Sequence, residues 1–247
     1  PLNTTTCCAD AKISRARAAA GPEDWCVLCF IINEWMRWTS PYSLFTTTLA
    51  HWSLMLKGMK SVAVYCGSAL GNCEEYVDAA RQLGSELAAR GINLVYGGGN
   101  IGLMGVIADS CLAAGGTVTG VIPEQLVDLE LSHPGLSSLE VVPTMAERKT
   151  RMEELADAFM CLPGGVGTLE ELAEVLTMQQ LGTIAGPVGL VDVGGFWQSF
   201  LEMYAGMARA GFVQQRFVEA IVLDSSPATV LDKFAGWRHP GNKWDNN

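Results

Sequence analysis

The chain has 247 residues, of which 49% are hydrophobic, and its formal net charge at pH 7 is −10. This length suits one domain with an appendage, and the apolar content excludes a disordered chain. Binding to nucleic acid needs a basic surface, so the acidic balance argues against a nucleic-acid partner. No run reaches the roughly 18 apolar residues that a membrane span needs, so we expect no membrane association.

Residues 1–58 differ from the rest of the chain because they lack a clear helical or strand period. Four of the seven tryptophans lie here: Trp25, Trp35, Trp38 and Trp52. We expect an extension outside the main domain, either poorly ordered or upstream of a natural start at Met59. The main domain is then predicted over residues 59–238, followed by a tail over residues 239–247.

Eight cysteines are present, without the close spacing of a secreted disulfide framework. Cys7, Cys8, Cys26 and Cys29 leave a zinc site open as an alternative. The apolar residues around the last two, and the lack of nearby turn glycines, argue against it. Other cysteines lie in apolar runs, as small buried residues do, which favours a reducing cytoplasm.

Beyond residue 58, strand-like and helix-like runs alternate in a regular order. Strands are predicted over residues 61–66, 93–96, 117–122, 139–142, 158–162, 188–191 and 220–223. Helices are predicted over residues 74–90, 103–114, 144–154, 169–181, 196–210 and 227–237. Asn72 is expected to cap the first helix, and Thr144 with Glu147 forms a capping box at the third. The alternation predicts a Rossmann-like three-layer α/β fold with a central parallel sheet and helices on both faces.

Three glycine-rich segments follow predicted strands, at the edge of such a sheet where ligands bind. They cover residues 66–71, 97–102 and 163–168. The second matches G-x-G-x-x-G, but no acidic residue ends the next strand, so a dinucleotide site is weakly indicated. One glycine loop is often only a tight turn, whereas three at corresponding positions predict a nucleotide pocket.

The third glycine segment, P-G-G-V-G-T, opens a helix whose first turn carries Glu170 and Glu171. Glycine N–H groups and the positive end of a helix dipole predict a phosphate site there. Carboxylates beside a phosphate would repel it unless one of them serves another part of the ligand. This pairing indicates nucleotide chemistry at the sugar.

Arg148 and Lys149 stand together near the start of a predicted helix. An isolated Arg-Lys pair is often only a solvated helix face. Arginine also binds pairs of oxygens through its planar fork, which suits a phosphate or a carboxylate.

The chain from Met59 to about residue 213 resembles the lonely guy (LOG) family of phosphoribohydrolases, which release cytokinins from their riboside 5′-monophosphates. The resemblance lies in the segments Y-C-G-S at 65–68, L-V-Y-G-G-G at 94–99, G-L-M-G at 102–105, G-V-I-P at 120–123, M-A-E-R-K at 145–149 and P-G-G-V-G-T-L-E-E at 163–171. Similar proteins have been called lysine decarboxylases, but nothing in this sequence suggests the pyridoxal-phosphate lysine of that reaction.

The resemblance implies roles for particular residues. Arg148 and Glu171 correspond to the family's catalytic arginine and glutamate. The residues implied to bind substrate are Gly67, Ser68, Gly98, Gly99, Glu130, Lys149, Gly164, Gly165, Val166, Gly167, Thr168, Leu169, Glu170 and Thr177. Ala146, Leu176, Met178 and residues 183–186 depart from the family pattern, which bears on substrate choice more than on chemistry.

Breaking a ribose N-glycosidic bond develops positive charge on the sugar, which a carboxylate stabilises. We assign that role to Glu171, with Arg148 gripping phosphate, orienting sugar or keeping Glu171 ionised. No metal cluster or cofactor motif is visible, so the expected reaction is metal-independent hydrolysis. The resemblance also implies a homodimer. A general nucleoside 5′-monophosphate hydrolase and a non-catalytic nucleotide or molybdenum-cofactor carrier remain as alternatives.

Overall fold

Seven strands, eight α-helices and a short 3₁₀ helix (Val193–Gly195) make up the regular structure of residues 58–127 and 132–245, the part of the chain that the computed structural model describes. The strands are β1 (Ser61–Tyr65), β2 (Asn93–Tyr96), β3 (Val118–Pro123), β4 (Ser138–Val142), β5 (Ala158–Cys161), β6 (Val188–Val191) and β7 (Val222–Asp224). The helices are α1 (Glu74–Ala89), α2 (Gly102–Ala113), α3 (Glu124–Val127), α4 (Met145–Leu155), α5 (Val166–Leu181), α6 (Gln198–Arg209), α7 (Gln215–Glu219) and α8 (Pro227–Phe234).

All seven strands join one parallel sheet in the order β4-β3-β2-β1-β5-β6-β7. The chain enters at the centre, builds outward to β4, and then returns to β5 on the other side of β1. A parallel sheet opens a crevice at the carboxyl ends of its strands where this direction reverses. The topology therefore places the ligand crevice between β1 and β5.

Alternate residues along the strands pack into two separate hydrophobic cores, one on each face of the sheet. Val62, Val64 and Met160 point to the face that α1, α2 and α8 cover. Ala63 and Tyr65 point to the other face, which α4, α5 and α6 cover. β1 and β5 are buried along their whole length, as strands covered on both faces must be. The predicted three-layer fold is confirmed.

The helix and strand boundaries mostly lie within a few residues of the predicted ones. Of the two predicted helix caps, one is confirmed and one is wrong. The Thr144 hydroxyl accepts a hydrogen bond from the Glu147 N–H at 3.2 Å, so the predicted cap of α4 is confirmed. The predicted Asn72 cap is wrong because α1 begins one residue later, with Cys73 at the cap position and no side-chain cap bond. α5 begins at Val166, three residues before the predicted start.

Two short helices, α3 and α7, went unpredicted because four or five residues carry too little periodicity to reveal a helix. The predicted extension over residues 1–58 lies outside the described residues except for Gly58, and so does its zinc alternative. At the other end, the Lys243 N–H donates to the Gln180 carbonyl at 2.8 Å. This bond ties the described part of the predicted tail to α5.

Candidate active site

The three glycine segments meet at the carboxyl ends of β1, β2 and β5. The Gly67 N–H donates to the Pro163 carbonyl at 3.1 Å, and the Leu103 N–H donates to the Gly67 carbonyl at 3.0 Å. Gly102 has a φ of +61°, and a Cβ there would lie 2.2 Å from the Ser68 carbonyl carbon. Only glycine at this position allows the backbones of the first and second segments to approach so closely. The second segment is therefore both a turn and a point of close packing against the first.

These segments line a cleft of about 410 Å³. The predicted site residues in its wall are Gly67, Ser68, Gly99, Arg148, Gly165, Val166, Gly167, Thr168, Glu170 and Glu171. A smaller recess of about 290 Å³ shares Gly67, Ser68 and Gly165 with the cleft and holds the predicted Gly164. The structure therefore brings most of the predicted residues together in one place.

The N-terminus of α5 faces this cleft. Its first backbone bond runs from the Leu169 N–H to the Gly165 carbonyl at 3.1 Å. The N–H groups of Val166, Gly167 and Thr168 precede that bond and therefore lie outside the helical ladder. Free N–H groups and the positive end of the helix dipole are the two features from which the sequence predicts an anion site here.

Arg148 on α4 and Glu171 on α5 form a buried ion pair inside the cleft. Arg148 Nη2 lies 3.1 Å from Glu171 Oε1, and the two side chains are only 10% and 9% exposed. The guanidinium lies directly over Gly97, where a Cβ would come within 2.0 Å of Nη2. Arg148 Nε is buried and has no hydrogen-bond partner among the described residues. A buried donor in this state is suited to an acceptor atom of a ligand.

Burial raises the pKa of the Glu171 carboxyl from 4.5 to about 7, against the opposing effect of the Arg148 charge. Glu170 and Glu174 raise this pKa further, while Lys149 lowers it. A carboxyl that titrates near neutral pH can take up and release a proton during a reaction. Glu171 therefore has both the position and the titration range of a general base.

An apolar wall completes the cleft, and the sequence analysis did not predict it. It consists of Ile101, Met104, Ile122, Leu126 and Met145. These side chains come from α2, β3, α3 and α4 and from the loop before α2, so no single motif contains them. One signal was available: Met145 precedes Arg148 by three residues, which places both on one side of a helix.

Several predicted site residues lie outside the cleft wall. The Thr177 hydroxyl donates to the Ala173 carbonyl at 2.7 Å on the outer side of α5. Leu169 is 38% exposed and does not line the cleft. The Gly98 carbonyl accepts a bond from the His133 N–H at 2.9 Å. Glu130 lies outside the described residues, and Lys149 points along α5 toward Glu170 and Glu174.

A family model described as "Possible lysine decarboxylase" matches residues 104–234. The cytokinin riboside 5′-monophosphate phosphoribohydrolase LOG of Oryza sativa subsp. japonica is 47% identical over 192 residues, covering 76% of this chain and 78% of that protein. A cytokinin riboside 5′-monophosphate phosphoribohydrolase of Arabidopsis thaliana is 43% identical over 174 residues, covering 70% and 82%.

The chain belongs to the LOG family. Among solved structures, the molybdenum cofactor binding protein of Rippkaea orientalis aligns with a TM-score of 0.55 at 20% identity, covering 72% of this chain and 96% of that one. At this identity the likeness supports the shared fold alone.

In residues 58–127 and 132–245, none of the helices has the length and apolar character that a membrane span requires. Within the same ranges, no three histidine, cysteine, aspartate or glutamate side chains are grouped as they would be around a metal ion.

Proposed function

We propose that this LOG-family chain hydrolyses the N-glycosidic bond of cytokinin riboside 5′-monophosphates. The products are a free N6-substituted adenine and ribose 5-phosphate. The observation that carries the proposal is the buried Arg148–Glu171 pair, 3.1 Å apart, in a cleft that also receives the N-terminus of α5. A phosphate-binding helix end and a carboxylate one turn away suit a nucleoside monophosphate cleaved at its sugar.

The 5′-phosphate binds at the N-terminus of α5. The N–H groups of Val166, Gly167 and Thr168 donate to its oxygens, and the helix dipole favours its charge. Thr168 is only 3% exposed, and its hydroxyl lies against Gly164, where a Cβ would come within 2.2 Å of Oγ1. With the phosphate held there, the ribose lies toward Glu171, one helical turn away.

Glu171 acts on the sugar in its ionised form. As the bond between the ribose C1′ and the base nitrogen breaks, positive charge develops at C1′ and the carboxylate stabilises it. Water forms the new bond at C1′ and gives its proton to Glu171, while the base leaves with the bonding electrons and takes a proton from solvent. With a pKa of about 7, Glu171 can return that proton to solvent after each turnover.

Arg148 keeps Glu171 ionised. The guanidinium is the strongest of the influences that lower the pKa of this buried carboxyl. Its Nε, which has no partner among the described residues, is free to donate to a substrate oxygen. The sequence left three roles open for Arg148: gripping phosphate, orienting the sugar, or keeping Glu171 ionised. The 3.1 Å contact favours the last of these.

The base lies against the apolar wall of Ile101, Met104, Ile122, Leu126 and Met145. The family departures do not enter this wall. Leu176 is 4% exposed in the core beneath the sheet, and Ala146 is exposed on α4. Residues 183–186 line a recess at the opposite end of the sheet. We therefore assign this chain the N6-substituted substrates of its relatives rather than AMP.

A homodimer in the cytoplasm is the proposed state of the protein. The family resemblance supports the dimer, and apolar side chains available for an interface include Met203, Met207 and Phe212, which are 50%, 38% and 85% exposed. The cytoplasmic location is supported by Cys66, Cys73, Cys111 and Cys161, which are all free thiols. Light scattering tests the dimer, and a monomeric mass for the whole chain would contradict it.

The proposed function is tested by measuring, with chromatography, the release of free base from isopentenyladenosine 5′-monophosphate and from AMP. Wild type is compared with Glu171→Ala, and Glu202→Gln on the exposed side of α6 controls for loss of a carboxylate. We expect faster release from the isopentenyl substrate, lost in Glu171→Ala and kept in Glu202→Gln. Equal rates on both substrates would indicate a general nucleotide hydrolase, and binding without any release would indicate a carrier.

A further inference from the structure

We propose that Lys149 is a positioning residue, which neutralises Glu170 and Glu174 so that the N-terminus of α5 can accept a phosphate. This inference rests on the proposed function and concerns how its phosphate site is kept free of repulsion. It replaces the direct contact with substrate that the sequence resemblance implies for Lys149. Such a role explains how Glu170 and Glu171 can lie in the first turns of a helix whose N-terminus is proposed to bind phosphate.

The geometry directs Lys149 away from the cleft and onto the side of α5. Its Nζ forms an ion pair with Glu170 Oε1 and lies 2.8 Å from Glu174 Oε2. Glu170 and Glu174 are four residues apart and therefore neighbours on one side of the helix. Lys149 is only 15% exposed and is absent from the cleft wall.

Arg148 and Lys149 are adjacent in sequence but act in different places because consecutive helical residues point about 100° apart. Arg148 enters the cleft and pairs with Glu171, whereas Lys149 packs between α4 and α5. The Arg-Lys motif thus supplies one cation to the reacting carboxylate and one to the carboxylates behind it.

Without Lys149, the phosphate would meet an excess of negative charge. Glu170 lines the cleft beside the helix end, and Glu171 and Glu174 lie within the next turn. The approach of a phosphate adds further negative charge at short range, where screening by salt is weakest. Lys149 contacts two of the three carboxylates and leaves Arg148 for the third.

The electrostatic influence of Lys149 reaches Glu171 as well. Burial raises the pKa of Glu171 to about 7, Arg148 and Lys149 lower it, and Glu170 and Glu174 raise it. Tyr65, Cys66 and Cys161 are the other titratable groups coupled to Glu171, and Glu153 faces Lys149 and Glu174. Loss of the lysine charge therefore raises the pKa of Glu171, and the rise in rate with pH moves to higher pH.

A double-mutant cycle separates this role from direct contact with the phosphate. Lys149→Met removes the charge and keeps most of the apolar stem, and it is made alone and together with Glu170→Gln. Binding of ribose 5-phosphate, a product that the enzyme cannot consume, is measured by calorimetry for all four proteins. Lys149→Arg, which keeps the charge, is the matched control, and thermal unfolding confirms that each variant folds.

We expect Lys149→Met to weaken ribose 5-phosphate binding on the order of 10-fold in the wild-type background, and by less than about 3-fold when Glu170 is already Gln. We also expect the acid limb of kcat/KM to move to higher pH in Lys149→Met and to stay in place in Lys149→Arg. Lys149 and Glu174 are only 15% and 28% exposed, so losing the lysine charge should also lower the thermal midpoint of Lys149→Met, and binding rather than stability is therefore the deciding measurement.

Equal loss of binding in both backgrounds would make Lys149 a direct ligand and overturn the proposal, as would no loss in either. Absence of ribose 5-phosphate binding to wild type would overturn it too. If the cycle gives the expected pattern while no nucleotide releases its base, the phosphate-site role stands and the proposed hydrolysis fails.

Discussion

Two glutamates with similarly raised pKa values, Glu171 and Glu153, lie at opposite ends of the sheet. The pKa of each is raised to about 7, mainly by burial. Glu171, at the carboxyl end, has Arg148 at 3.1 Å and lies in a cleft beside a free helix end. Glu153, at the amino end, faces Glu174 and has a buried oxygen without a hydrogen-bond partner among the described residues.

The recess at the amino end is the larger of the two, at about 450 Å³ against 410 Å³ for the cleft. Its other carboxylate, Asp157, is engaged by the backbone, since it accepts bonds from the Lys60 and Ser61 N–H groups at 2.7 and 3.0 Å. Neither a raised pKa nor a large recess therefore identifies the reacting group. The surroundings differ, because of these two glutamates only Glu171 has both a cation at 3.1 Å and a helix N-terminus beside it.

The largest expected difference between the two ends is in catalysis. Glu171→Gln removes the base and should lower kcat on isopentenyladenosine 5′-monophosphate by about 10² to 10⁴-fold. Glu153→Gln makes the same chemical change at the amino end and should stay within about 3-fold of wild type. Chromatographic rates for both variants test this, and comparable losses would remove the distinction between the two carboxylates.

Arg148→Met is expected to have the next largest effect, with a loss of kcat on the order of 10²-fold. The change leaves Glu171 buried without its cation, so the pKa of Glu171 rises and less of it is ionised at pH 7. Part of the activity should return as the pH is raised toward 9. A loss that stays constant across this range would show that Arg148 acts on the substrate alone.

Two glycine substitutions, one near each end of the sheet, should affect different properties of the protein. Gly97→Ala places a methyl group where the Arg148 guanidinium lies, and should lower kcat/KM roughly 10-fold through displacement of that side chain. Gly186→Ala places one 2.1 Å from the Asp157 carbonyl oxygen, and should instead destabilise the fold by about 1 to 3 kcal/mol.

Both glycine variants are tested by measuring kcat/KM and the free energy of unfolding in urea. We expect Gly97→Ala to impair chiefly the rate and Gly186→Ala to impair chiefly the stability. The reverse pattern would mean that Arg148 adapts to the methyl group without loss.

The smallest expected effect is on stability as a function of pH. Because the pKa of Glu153 is raised in the folded protein, folding holds its proton more tightly, and stability falls as pH rises from about 4.5 through 7. Glu153→Gln removes this penalty and should raise the thermal midpoint by about 2 °C at pH 8, with no gain at pH 4. An equal shift at both pH values would indicate a packing effect.

The sequence was sufficient to predict the order of strands and helices, because buried parallel strands and amphipathic helices have different apolar periods. It also predicted the glycine segments and the Arg148–Glu171 pair, although the role of these two residues came through the family resemblance. It could not separate the environments of Arg148 and Lys149, since their directions depend on how α4 packs against α5.

The apolar wall was missed for a related reason. Met145, Ile122 and Leu126 come from separate elements, and only the fold brings them to one surface. The start of α5 was placed too late because the glycines of its first turn resemble a loop. The free N–H groups to which we assign the phosphate belong to that same turn.

The pH dependence of kcat/KM for wild type and Glu153→Gln on isopentenyladenosine 5′-monophosphate is the decisive measurement of whether Glu171 is the reacting carboxylate. Both glutamates titrate near neutral pH, so the measurement identifies the one that governs the rate. We predict a rate that rises with pH through about 7 in both proteins, because ionised Glu171 is the proposed reacting form. A rise displaced by Glu153→Gln, or one centred near 4.5, would contradict it.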